Sequence, residues 1–260
     1  MRIASPSHAV FAVTVAALGI LGLIQGSFTP LWEPVPAAVP ARLALVYLAA
    51  IVSLASGLGL LFRSTAAPAA RLLLGWLLLW MLLFRLPGLF VPPLFGALWA
   101  IAPTAVLTAA AWALWIEFAT EWDRQRLGFF AGASGLRLAH GLYALALIFF
   151  GAAHFIDPAD TLALIPRWLP WHLFWAYFFG CTFIAAGLGL LLGVYARLAA
   201  ALATLQIALF LALVWIPLAA TRSLGAFQTG EAILTAILMA AAWVVAGSCR
   251  TTPWLAARNR

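Results

Sequence analysis

Ser56-Gly57-Leu58-Gly59-Leu60-Leu61 is matched 130 residues later by Ala186-Gly187-Leu188-Gly189-Leu190-Leu191. The same offset carries Pro36 and Pro40 onto Pro166 and Pro170, Tyr47 onto Tyr177, and Pro87 onto Pro217. Ala109-Ala110-Ala111-Trp112 returns, one residue out of step, as Ala240-Ala241-Ala242-Trp243. The offset is half the 260-residue chain, so the sequence reads as a tandem duplication of one unit. The two copies are assigned to residues 1–128 and 129–260.

Each copy is too apolar for water. Hydrophobic residues make up 66% of the chain and charged residues 8%, more apolar surface than a soluble domain of this size can hide. The solvent for most of the chain is therefore lipid. The net charge of +7 does not mark a nucleic-acid interface, because the basic residues stand singly between apolar runs. All fourteen basic residues are Arg.

Eight apolar segments are expected to span the membrane: about His8–Phe28, Leu43–Phe62, Leu72–Leu86, Leu94–Phe118, Leu138–Ile156, Trp171–Val194, Leu198–Ile216 and Glu231–Ala246. A perpendicular helix needs about 20 apolar residues to cross the hydrocarbon layer, so the third and eighth are short. Runs without period-two alternation exclude a strand barrel, and helices satisfy their own backbone in lipid. His8–Phe28 is read as a span and not a secretory signal, being long and lacking a cleavage site. The fold class is all-α: a polytopic integral membrane protein of eight transmembrane helices. Four spans per copy gives two parallel four-helix repeats related by a pseudo-twofold along the membrane normal.

Ten arginines on the side of the termini face four on the other, Arg42, Arg85, Arg167 and Arg222. That bias places both termini in the cytoplasm, as in a bacterial inner-membrane protein. The linker from Glu121 to Arg137 reads as a solvated interfacial turn. Gly22-x-x-x-Gly26 and Gly189-x-x-x-Gly193 read as faces for close helix packing. Cys181 and Cys249 lie at different depths and form no Cys-x-x-Cys, which argues against a thiol relay.

Polar and aromatic residues gather in the loop between the first two spans of each copy. One loop runs from Phe28 to Pro40 and contains Trp32 and Glu33. The other runs from His154 to His172 and contains Asp157, Trp168 and Trp171, with a short interfacial element expected over about Ala159–Leu164. His154 and Asp157, three residues apart, can share a helix face and form a proton-handling or ligand-gripping pair. The simpler reading is an interfacial histidine capping a helix end. Tyr47 and Tyr177 sit below the loops, either to bond a ligand carbonyl or to anchor the helix at the headgroup level. His154, Asp157, Tyr177, Tyr47, Trp168, Trp171 and His172 are the candidate ligand-binding residues. No phosphate loop, nucleophile elbow or metal-ligand spacing is present.

The second copy resembles the DoxX-like family of four-helix membrane proteins. The resemblance is carried by Gly151-Ala-Ala-His154-Phe155 with Pro158, by Ile165-Pro166 and Pro170, by Ala186–Leu191, and by Arg197 and Pro217. It covers about Leu142 to Pro217, and the first copy only as a degenerate version that lacks the His-Phe pair. The resemblance implies a four-helix unit, here doubled, and an association with membrane redox systems, including quinone-linked oxidation of thiosulfate. A quinone is then the expected cofactor and a redox protein the expected partner. A carrier or sensor for a small hydrophobic solute, and a scaffold for a partner enzyme, are the other readings. Mid-span positions almost free of charge disfavour an ion-coupled pump.

Overall fold

A computed structural model describes residues 5–221 and 225–257. Arg2, Arg222, Arg258 and Arg260, used in the orientation argument, lie outside the described residues. Among the described residues all regular structure is helical. The elements are α1 (Pro6–Gln25), α2 (Arg42–Leu61), α3 (Arg63–Trp80), α4 (Leu94–Glu117), α5 (Glu121–Ala131), α6 (Ala133–Ile156), α7 (Pro158–Leu164), α8 (His172–Leu192), α9 (Ala196–Phe210), α10 (Ile216–Ala220) and α11 (Ala226–Ser248). Wide π-turns, Met81–Arg85 and Leu211–Trp215, extend α3 and α9. Among the described residues eight helical segments are long and apolar enough to cross a membrane, which makes this a membrane protein in composition and shape of element.

The two spans that looked short are not. The third runs Arg63–Phe90 over 28 residues, and the eighth runs Ala226–Ser248 over 23. Arginines excluded Arg63–Arg71 from the apolar window, but a long Arg stem lies along a helix while its head reaches water. The linker is also a helix and not a turn. Thr120 caps α5 by accepting from the Asp123 N–H, and the Asp123 carboxylate accepts from the Thr120 N–H at 2.7 Å. This reciprocal cap starts a helix where composition alone suggested a loop. Asp123, expected in solvent, is fully buried. The short interfacial element appears as α7, Pro158–Leu164.

The chain divides into two compact units between Ala139 and His140, inside α6. In the first, α1 and α2 pack backbone to backbone. A methyl on Gly57 would fall 2.7 Å from the Ala12 carbonyl oxygen, and one on Gly19 would fall 2.7 Å from that of Ala50. In the second, α6 and α8 make the corresponding crossing. A methyl on Gly187 would fall 2.7 Å from the Ala144 oxygen, and one on Gly151 would fall 2.6 Å from that of Gly180. Small residues carry such crossings because lipid gives no hydrophobic drive to associate. Gly26 and Gly193 have another job than the one expected of them. Each ends its helix in the left-handed region, at φ 60° and 66°.

The π-turns precede Pro87 and Pro217 by the same spacing. Proline has no N–H and clashes with the carbonyl four residues back, so the ladder ahead of it re-registers. One extra residue in a helix turns everything after it by about 100°. Arg85 and Trp215, the last residues of the two π-turns, are both buried. Inner faces are lined by small residues, with Ala109–Ala111 and Ala240–Ala242 fully buried. Large side chains such as Ile24, Leu82 and Phe90 point outward, as lipid permits.

Candidate ligand site in the first unit

The sequence-selected residues fall at several places. His154, in the last turn of α6, donates through Nδ1 to the Phe150 carbonyl at 2.7 Å. A carbonyl only accepts, so Nδ1 carries the hydrogen and Nε2 is an acceptor. Its ring lies 5.9 Å from that of Phe183. Asp157 makes no hydrogen bond or ion pair with His154 among the described residues. It is the exposed cap between α6 and α7, and its N–H donates to the Ala153 carbonyl. Tyr177 stacks on Phe155 with ring centroids 5.1 Å apart. A methyl on Gly180 would touch Phe155 and His154, which puts His154, Phe155 and Tyr177 at one α6–α8 crossing. Trp168 and Trp171 are exposed, and His172 is half-buried at the start of α8. Tyr47, in the first unit, is partly exposed beside the turn at Gly26.

The most polar interior lies elsewhere, beneath the loop from Phe28 to Pro40. Trp76 and Trp80 are four residues apart on α3 and so share a face. Phe84 continues the row. Ring centroids step 5.7 Å from Trp76 to Trp80 and 4.5 Å from Trp80 to Phe84. Trp32 from the loop leans on Trp80 at 5.0 Å and on Trp76 at 6.5 Å, and Phe28 meets Trp80 at 5.6 Å.

Arg85 holds this loop from below and is 1% exposed. Its Nε donates to Thr104 Oγ1 of α4 at 3.1 Å. Its terminal nitrogens donate to the carbonyls of Pro34 at 2.8 Å, Leu31 at 2.9 Å and Glu33 at 2.8 Å. Arg42 holds the far end, donating to the Val35 and Pro36 carbonyls with its guanidinium 5.0 Å from the Phe28 ring. A proline-rich loop has carbonyls to spare and few N–H groups to meet them, so arginine forks are suited to tie it down.

Four polar atoms in this nest have no hydrogen-bond partner among the described residues: Nε1 of Trp32, Trp76 and Trp80, and Oγ1 of Thr29. Trp32, Trp80 and Thr29 are each no more than 2% exposed. Three other indoles are paired: Trp112 donates to the Phe130 carbonyl, Trp115 to Asp123 and Trp215 to Thr235. A buried donor left unpaired costs about 1–3 kcal/mol, so three within one aromatic cluster mark it as a candidate site for an acceptor. Trp175 in the second unit is the remaining indole of this kind among the described residues.

Arg85 of this nest stands outside the sequence-selected set. It was counted as a membrane flank, and mid-span positions were judged nearly free of charge. The Trp76–Trp80 spacing and the Arg85–Pro87 sequence were the signals available. In the second unit His140 Nε2 donates to Ser248 Oγ at 2.8 Å, because the Ser248 hydroxyl is itself committed to the Val245 carbonyl. Cys249 lies 3.7 Å from the same nitrogen, and burial pushes its thiol up to about 11, leaving it an inert neutral thiol. Among the described residues no three His, Cys, Asp or Glu side chains group as metal ligands. No known protein family, curated protein or solved structure matches the chain.

Proposed function

We propose that the protein is a quinone-associated subunit or accessory protein of a membrane redox system, with its ligand seated in the tryptophan nest of the first unit. The observation that carries the reading is the group of unpaired indole N–H donors of Trp32, Trp76 and Trp80 within a cluster of edge-on and tilted aromatic rings. A quinone is a flat conjugated ring with two carbonyl acceptors, and it partitions into lipid. The residues present fit its chemistry: the rings of Trp32, Trp76, Trp80 and Phe84, tilted against one another, offer aromatic contact, and the unpaired indole N–H groups offer donors to its oxygens. When bound, a quinone supplies a lipid-soluble electron and proton couple to a partner redox protein. The chain's own residues bind and orient the ring, while Arg85 and Arg42 keep the loop closed over it. The resemblance of the second copy to the DoxX-like family supports the same chemistry.

The proposal includes the arrangement read from the sequence: two parallel four-helix repeats about an axis along the membrane normal, with both termini in the cytoplasm of a bacterial-type inner membrane. Matched glycine crossings and matched π-turns in the two units support it. Lipid extracts of protein purified from its native membrane are expected to contain quinone. Added menadione is expected to quench tryptophan fluorescence, less so in the Trp32→Phe and Trp80→Phe variants. Extracts free of quinone, together with fluorescence indifferent to menadione, would overturn the reading.

A further inference from the structure

We infer that the tryptophan nest selects a planar oxyanion, a ring bearing its negative charge on an exocyclic oxygen as in an enolate or an aromatic carboxylate. The inference rests on the proposed function for the place and the ring, and goes beyond it in the charge.

The argument starts from Arg85. A guanidinium stays protonated in a protein, so burial at 1% exposure buries a full positive charge. Its hydrogen-bond partners are the Thr104 hydroxyl and the carbonyls of Leu31, Glu33 and Pro34, all neutral. These oxygens solvate the cation but do not cancel it. No carboxylate is paired with Arg85 among the described residues. Glu33 offers Arg85 only its backbone carbonyl, and its side chain is exposed. A buried charge is usually matched by a partner of opposite sign.

The same guanidinium is bonded to the Leu31 carbonyl, next to Trp32, so its positive charge sits on the loop that carries Trp32 into the nest. Every indole there presents a positive N–H edge without an acceptor, and the Thr29 hydroxyl is free to turn and donate. Donors plus an uncompensated cation in a region screened from salt favour negative charge. The surrounding rings, tilted or edge-on to one another, favour a conjugated ring through aromatic contact over a bare phosphate head.

Three probes of similar ring size test this on the detergent-purified full chain. They are menadione, which is neutral; lawsone, its hydroxy counterpart and an enolate at neutral pH; and naphthoate, a carboxylate on the same ring without quinone chemistry. Binding is read by tryptophan quenching and by calorimetry. Lawsone is expected to bind tighter than menadione by on the order of tenfold. Naphthoate is expected to bind, and Trp32→Phe to weaken each anion. Arg85→Gln is expected to erase the preference; the Trp32→Phe result stands in where that variant does not fold. Menadione binding as tightly as lawsone would overturn the anion selection and leave the quinone reading in place. Naphthoate binding while neither quinone binds would overturn both the quinone reading and the selection of an enolate. Binding of none of the three would overturn both.

Discussion

The two units make one contact with different chemistry. In the first, the last residue of the π-turn is Arg85, and its Nε donates to Thr104 on α4 at 3.1 Å. In the second the equivalent place is Trp215, whose Nε1 donates to Thr235 on α11 at 3.0 Å. Each threonine passes its own proton back one turn, to the Ala100 and Glu231 carbonyls. The framework needs one N–H pointed at one hydroxyl, and either side chain supplies it. Arginine has further N–H groups left over, and these reach the loop carbonyls. The lesson is that a helix frame can stay fixed while its surplus donors decide whether the loop above is strapped down. In the second unit, helix α7 lies in the corresponding loop.

That contrast sets the largest expected effect. Arg85→Leu strips the partners from three loop carbonyls and from Thr104, and should destabilise the protein by about 3–5 kcal/mol, because hydrogen bonds to a charged group contribute about 1.5–3 kcal/mol each and the relief of burying the cation offsets part of that loss. Trp215→Phe keeps the ring and removes one hydrogen bond, for a loss of about 1 kcal/mol. Thermal unfolding in a mild detergent measures both. Equal losses would mean that Arg85 does nothing for the loop beyond the contact shared by both units.

The glycine crossings sharpen the other side of the comparison, where the units agree. Gly57→Ala and Gly187→Ala each drive a methyl against a carbonyl oxygen at 2.7 Å, and a helix backbone cannot yield locally. Each should cost about 1–3 kcal/mol by overpacking, and the two values should match. Gly75→Ala is the control, because nothing lies within 4 Å of the added methyl. It should be neutral or gain up to about 1 kcal/mol from helix propensity. A large cost at Gly57 with none at Gly187 would break the equivalence of the α1–α2 and α6–α8 crossings.

Which parts of this were legible in sequence follows from range. Apolar run length locates the eight spans, because lipid thickness is a local constraint that each helix meets alone. The α5 cap was also readable, since Thr120 and Asp123 have the spacing of a reciprocal cap, yet four charges within six residues made the segment look like a solvated turn. The role of Gly26 was hidden because a glycine ending a helix and a glycine in a crossing look alike in a run of apolar residues. The Arg85 site was legible only as the Trp76–Trp80 spacing and the Arg85–Pro87 sequence, neither of which names the partners of the guanidinium. An arginine near a span end ordinarily reaches for water, and only the loop returning over α3 brings the carbonyls of Leu31, Glu33 and Pro34 to it. His154 and Asp157 were read as one helical face, but the helix stops between them.

The smallest expected effect separates the units by acid. In the first, Arg71 meets Asp123 at 2.8 Å and lies 5.6 Å from the Trp122 ring. In the second, Arg197 donates to the Arg250 and Thr252 carbonyls and lies 4.1 Å from the Trp254 ring. One arginine is held by a group that titrates, the other by groups that do not. Burial by itself would raise the Asp123 carboxyl, but hydrogen bonds from Thr120, Trp115 and Arg71 outweigh it and hold the folded value below the ordinary one. A lowered folded value means the contribution is complete above the unfolded carboxylate pKa of about 4 and is lost as pH falls through the folded value. Arg71 is 37% exposed, so solvent screening holds the loss to about 1 kcal/mol. Hydrogen exchange should therefore accelerate in α5 below about pH 4, while the Thr252–Trp254 segment stays level. Asp123→Asn should flatten the acid response of α5 and leave Trp254 unchanged. An acid response of equal size at both places would mean that the carboxylate is not what distinguishes the two arginine clasps.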